Sequence, residues 1–293
     1  MKTEVQRLEN SKVKIKVTIP AEKVDGAFDK VITEAAKTIE VQGFRKGKAP
    51  KAEVEKKLNQ TELNRRVINL LLPASYSEVI GKEGIKPVCD PRIEIKKFAQ
   101  GNEFIFEAET AEAPEVELGN WKGALRDLGK KRSVKTAATI AEAKTKASLK
   151  GKTRLAAPEV LEALRKEAKV QVPQMLIEDE VSRMLTRLND RLETLGLTPE
   201  QYLKNRGQTR EMLQRDYRNT AQELLETEFI LAKLGEELQI EVKEAEIEKT
   251  IEAAPDEETR KSLKEEANRA YIKAILRKNK TIEELLKIAE MPT

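Results

Sequence analysis

Phe44 is the residue whose surroundings most suggest binding chemistry. It lies in the run Gly43-Phe44-Arg45-Lys46-Gly47-Lys48-Ala49-Pro50, an aromatic between glycines with three cations close by. An aromatic held out of its own core can enter a partner's pocket. Arg45, Lys46 and Lys48 suit an acidic side chain or an RNA phosphate. The glycines allow close approach of the backbone and positive φ. On spacing alone, a plain connection whose ring folds back onto neighbouring helices is the favoured reading.

Catalytic chemistry has little to stand on. The chain contains no histidine, which removes Ser-His-Asp and Cys-His catalysis and every His-bearing metal site. Its one cysteine, Cys89, reads as a small packed residue. No Walker loop, dinucleotide glycine motif or clustered aspartate loop is present. No cofactor and no metal are therefore expected.

The elements around these residues follow from periodicity. Lys12 to Ile19 alternates strictly, predicting a strand with one lysine-rich wet face. Val24, Phe28, Val31, Ile32, Ala35 and Ile39 mark a helix, and Val54 and Leu58 begin another with Pro50 in its first turn. Thr61 is placed to cap a third helix carrying Leu63, Val67, Leu70, Leu71 and Ala74, kinked at Pro73. Residues 92–98 and 103–109 predict a β-hairpin around Gly101. Beyond residue 158 the pattern is helical. Gly196 ends one helix, Thr198-Pro199 starts the next, Gly207 closes it and Thr209 caps a long one. Further helices are expected near 243–253, 256–279 and 281–289.

With 293 residues, two folded domains are the natural expectation. The predicted organisation is an α+β domain at 1–118 (strand, helices, β-hairpin), a basic linker at 119–157, and an all-helical domain with extended arms at 158–293. Between Gly119 and Arg154 eleven Lys or Arg face only two acids, Asp127 and Glu142, and Trp121 is the one aromatic. RNA contact by this segment is conceivable on charge, though no aromatics interleave to stack on bases. The net charge of the whole chain is only +4, so any anionic partner must meet a local patch. A charged N-terminus and no apolar run of membrane-spanning length predict a cytoplasmic protein that does not enter membranes.

These residues resemble the bacterial trigger factors. Gly43 to Pro50 matches that family's Gly-Phe-Arg-x-Gly-x-x-Pro docking motif. Ile85-Lys86-Pro87-Val88 followed by Pro91-Arg92-Ile93-Glu94 is similar to the approach to its late strands, with Cys89-Asp90 departing from the usual Gly-Gln. Val116 to Gly123 resembles the exit from its first domain. Val172 to Glu178, Thr198 to Leu203 and Gly207-Gln208-Thr209 resemble its helical C-terminal domain. The resemblance implies ribosome-binding residues Gly43, Phe44, Arg45, Lys46, Gly47, Lys48 and Pro50. It implies partners in a large-subunit protein and rRNA at the exit tunnel, and in unfolded nascent polypeptides; a homodimer is left open. Candidate client contacts are Met175, Met184, Leu188, Met212 and Phe229, although for each one taken singly helix packing is the favoured reading.

Family members usually carry an FKBP-type prolyl-isomerase domain between these parts. Residues 119–157 are too short, too basic and too poor in aromatics to form one, so no isomerase activity is expected. A natural short member, an engineered deletion and a coding-frame disturbance over 124–156 all remain compatible with the sequence. The expected function is an ATP-independent, ribosome-associated chaperone. The rivals are a prolyl isomerase, a helical RNA- or protein-binding scaffold, and a periplasmic chaperone with similar arms.

Overall fold

The computed structural model describes residues 1–40, 44, 50–142 and 155–290, without the side chains of 51–52 and 132–142. The chain divides into two compact units, Met1–Ala113 and Pro114–Thr293.

The first unit is an antiparallel sheet of order β1-β2-β4-β3 covered by helices: β1 (Lys2–Arg7), β2 (Lys12–Ile19), β3 (Arg92–Lys97) and β4 (Phe104–Ala111). The alternation in β2 buries Val13, Ile15, Val17 and Ile19, and its register sets Val17 opposite Phe106. Its lysines face the other way and are paired: Lys12 with Glu109 at 2.7 Å, Lys14 with Glu107 at 2.9 Å and Lys16 with Glu4 at 3.7 Å. The Lys14 bond holds the Glu107 carboxyl below its usual range. The wet face of this sheet is thus an ion-pair ladder. The hairpin turn carries Gly101 at φ 72°, and its N–H donates to Asp25 Oδ1 at 2.8 Å, fixing the turn to the first helix.

Helices α1 (Ala21–Thr38), α2 (Lys51–Lys57) and α3 (Gln60–Glu83) supply the other layer. The buried row of α1 includes Val24, Phe28, Val31, Ile32 and Ala35, while Val54 and Leu58 anchor α2. Two local expectations are corrected. Asn59, not Thr61, caps α3, accepting from the Glu62 N–H at 2.7 Å. Leu63, Val67, Ser75 and Val79 are its buried residues, leaving Leu70 and Ala74 exposed. The helix continues through Pro73 because that residue is exposed, so the backbone group it frees is open to water.

The second unit is helical: α4 (Trp121–Glu142), α5 (Ala157–Glu167), α6 (Gln174–Thr194), α7 (Pro199–Arg206), α8 (Arg210–Glu237), α9 (Glu244–Glu252), α10 (Glu257–Leu263) and α11 (Glu266–Glu290). Thr198 and Thr209 cap α7 and α8 as expected, and Gly196 and Gly207 take φ 65° and 62°. The predicted break near residue 280 does not exist. Thr281 is buried inside α11 with its hydroxyl donating to the Arg277 carbonyl at 2.8 Å. The chain breaks instead between α10 and α11, where Asn268 Nδ2 donates to the Ser262 carbonyl at 2.7 Å.

The described residues of 119–157 do more than link the two units. Trp121 and Leu125 of α4, together with Leu155, are buried with Val160, Leu164, Ile230, Leu231, Leu234 and Leu285 in the main core of this unit. A two-residue ladder, β5 (Val116–Glu117) against β6 (Lys169–Val170), ties the entry of the chain to the same unit. Residues 114–118 consequently group with the helices rather than with the sheet.

Candidate docking loop and apolar groove

Four of the six phenylalanines lie in the core of the first unit. Phe28 and Phe98 stack at 5.8 Å, and Phe98, Phe104 and Phe106 continue the cluster at 5.0 and 5.3 Å. Phe44 does not join them: it is 44% exposed. The connection that carries it is held at both ends. Ile39 caps α1 and packs on the core, donating its N–H to the Ala35 carbonyl. Pro50 is the N-cap of α2 rather than its first residue, its carbonyl accepting from Glu53 and Val54 at 3.0 and 3.2 Å. A proline there loses nothing, since an N-cap N–H has no intrahelical partner. The structure therefore presents an aromatic to solvent between two anchored helix ends. Gly43, Arg45, Lys46, Gly47 and Lys48 lie outside the described residues.

In the second unit the sequence candidates separate. Met175 is buried at the start of α6 and is closed to a partner in this fold. Met184 and Leu188 on α6 and Phe229 on α8 are half-buried, and Met212 is 40% exposed. Periodicity missed a groove of about 530 Å³ between α8 and α11. Its apolar lining includes Leu231, Ala232, Tyr271, Ala274 and Ile275, with Glu228 and Lys278 paired at 3.1 Å beside it. Tyr271 is 67% exposed and Ile275 40%. The signal was present as a second apolar row, Tyr271 and Ile275 one turn apart, beside the buried row Ile272, Leu285 and Ala289.

Groups able to hold a metal are absent among the described residues, and no described helix is long and apolar enough to cross a membrane. Cys89 is half-buried, its sulfur 3.8 Å from the Thr110 hydroxyl.

The model of the bacterial trigger factor protein matches residues 1–148, and that of the trigger factor C-terminus matches 136–287. The chain belongs to the bacterial trigger factor family. The trigger factor of Staphylococcus saprophyticus subsp. saprophyticus is 41% identical over 118 residues, which make up 40% of this chain and 27% of that protein. Trigger factors of Staphylococcus aureus strains JH9 and Newman are 40% identical over the same length, with the same coverage. These matches span about a quarter of the curated relatives. A solved chain described under promiscuous substrate recognition in folding and assembly by the trigger factor chaperone aligns over 98% of this chain and all of its own. Its TM-score is 0.61 at 14% identity, a likeness of fold. The two trigger factor matches overlap at 136–148, so the N-terminal and C-terminal parts meet directly in this chain.

Proposed function

We propose that this chain is an ATP-independent cytoplasmic chaperone that docks on the large ribosomal subunit beside the exit tunnel through the loop at Phe44. It would shield unfolded nascent polypeptides by weak apolar contacts. The observation that carries the reading is the exposed Phe44 inside the segment matched to the trigger factor N-terminal part. Gly43, Arg45, Lys46, Gly47, Lys48 and Pro50 complete the docking motif on a large-subunit protein and rRNA.

The client surface we assign is the groove between α8 and α11, with Met212 as an outlying contact; Met184, Leu188 and Phe229 are the lesser candidates. Fully burying one large apolar side chain is worth about 1.5–3 kcal/mol, and a half-open groove gives less. Such contacts slow aggregation and release a client once it buries its own surface. We assign no isomerase activity; in support, the described residues of 119–157 supply α4 and Leu155 to the helical core.

Light scattering from an unrelated protein diluted out of denaturant tests this without ATP. The chain is expected to suppress the scattering. Tyr271→Ser with Ile275→Ser should lose more than half of that suppression, because both side chains are exposed and the fold does not depend on them. No suppression by the parent chain contradicts the chaperone reading, and full suppression by the double variant contradicts the groove. A faster proline-limited refolding step in the presence of the chain would favour the isomerase rival.

A further inference from the structure

The positive charge of this chain is concentrated in one place. Residues 119–154 carry eleven Lys or Arg against two acids, a net +9, whereas the whole chain is +4. The remaining residues therefore sum to −5. Within the described part of that segment, α4 turns Trp121, Leu125 and Leu128 toward the helical core. Arg126, Lys130 and Lys131 on the same helix are exposed.

These three cations differ from the lysines of β2. Lys12, Lys14 and Lys16 are each paired with a glutamate. Among the described residues, no carboxylate pairs with Arg126, Lys130 or Lys131; Asp127 follows Arg126 in the chain, and the end of α11 at Ala289 and Glu290 packs beside Gly129. Lys122 is already engaged, 5.1 Å over the Trp121 ring and 4.0 Å from Glu237. Arg126 and Lys130 stand one turn apart, about 6 Å along the axis, so both can meet one anionic strand. The helix continues through Arg132 and Lys135.

We infer that this face of α4 is a second anion-binding surface, and that its partner is the phosphate backbone of RNA, independent of the Phe44 loop. The chemistry selects the partner. A protein interface is built round an apolar centre, and stable attachment to a membrane surface adds inserted apolar side chains to the attraction of its cations. Trp121, Leu125 and Leu128, the large apolar residues among the described side chains of this helix, are committed to the core, and the exposed positions Arg126, Lys130 and Lys131 present cations. A guanidinium and two ammonium groups fit phosphate oxygens. No aromatic stands on the face to stack on bases, so binding is indifferent to sequence.

Fluorescence anisotropy of a labelled single-stranded RNA of mixed sequence, titrated with the full chain over a range of salt, tests the assignment. Arg126→Gln, Lys130→Gln and Lys131→Gln together should weaken binding about tenfold and flatten the slope of log affinity against log salt by about two. Arg126→Lys with Lys130→Arg and Lys131→Arg should bind as the parent does, with circular dichroism checking both folds. A homopolymer should bind as well as the mixed sequence. The inference is overturned if the glutamine variant keeps the parent affinity and slope, or if the parent does not bind RNA. It is also overturned if substitutions at Phe44, Arg45 and Lys46 abolish RNA binding instead, or if phosphatidylglycerol vesicles are bound in preference to RNA. Aggregation suppression measured without RNA reads the chaperone proposal separately.

Discussion

With Phe44, Arg45 and Lys46 all replaced by alanine, the chain is expected to stop sedimenting with ribosomes while its helix content stays the same. Phe44 is exposed and separate from the stacked phenylalanines, so its truncation removes no core contact. The helices on either side are held by Val31, Ile32, Ala35, Val54 and Leu58, none of which changes. What is lost is an aromatic anchor, worth about 2 kcal/mol or more, and two charge-assisted contacts of roughly 1.5–3 kcal/mol each in a desolvated setting. A combined loss of only about 4 kcal/mol weakens binding nearly a thousandfold, enough to clear the ribosome pellet. Phe44→Ala alone should leave weak, salt-sensitive binding, because exposed charges act over about 10 Å at 0.1 M salt. Pelleting through a sucrose cushion, with circular dichroism as the control, checks this; undiminished pelleting of the triple variant contradicts it.

The second large effect falls on stability. Trp121→Ala should destabilise the helical unit by roughly 3–5 kcal/mol. Trp121 is 4% exposed and sits in one core with Leu125, Val160, Leu164 and Leu234, bringing together α4, α5 and α8. Its Nε1 also donates to Glu237 Oε1 at 3.2 Å. Trp121→Phe retains most of the packing and gives up that bond, so it should cost about 1 kcal/mol. Denaturant unfolding followed by far-ultraviolet circular dichroism separates the two variants. An alanine variant with the parent midpoint would show that α4 is a tether rather than part of the core.

Trp121 also shows where sequence reading stopped. The segment from 119 to 157 is poor in large apolar residues, so it reads as a chain without a core of its own. Its described residues Trp121, Leu125 and Leu155 are nonetheless buried in a core shared with α5, α8 and α11. Patterning registers what a segment can bury by itself and is blind to what a distant helix offers. β1 escaped for a related reason: Val5 is its one large apolar residue, and its pairing with Ile15 on β2 defines it. By contrast β2, the hairpin at Gly101 and the threonine caps at 198 and 209 are local devices, each visible in a few adjacent residues.

The candidate sites divide in the same way. Phe44 between glycines is legible because glycine spacing and charge are local. The groove is not, because it needs α8 and α11 side by side, and Tyr271 and Ile275 look like any other apolar residues in a helical stripe. Met175, expected as a client contact for its adaptable side chain, is buried.

Under the proposed function, docking at Phe44 would bring nascent clients to Tyr271. Replacing Tyr271 with the photoreactive benzoylphenylalanine and irradiating the chain on translating ribosomes tests both at once. Crosslinks to the nascent polypeptide are expected, and they should vanish when Phe44, Arg45 and Lys46 are also alanine. Crosslinks that persist undiminished in the loop variant, or a ribosome-bound chain that never labels the nascent polypeptide, would contradict it.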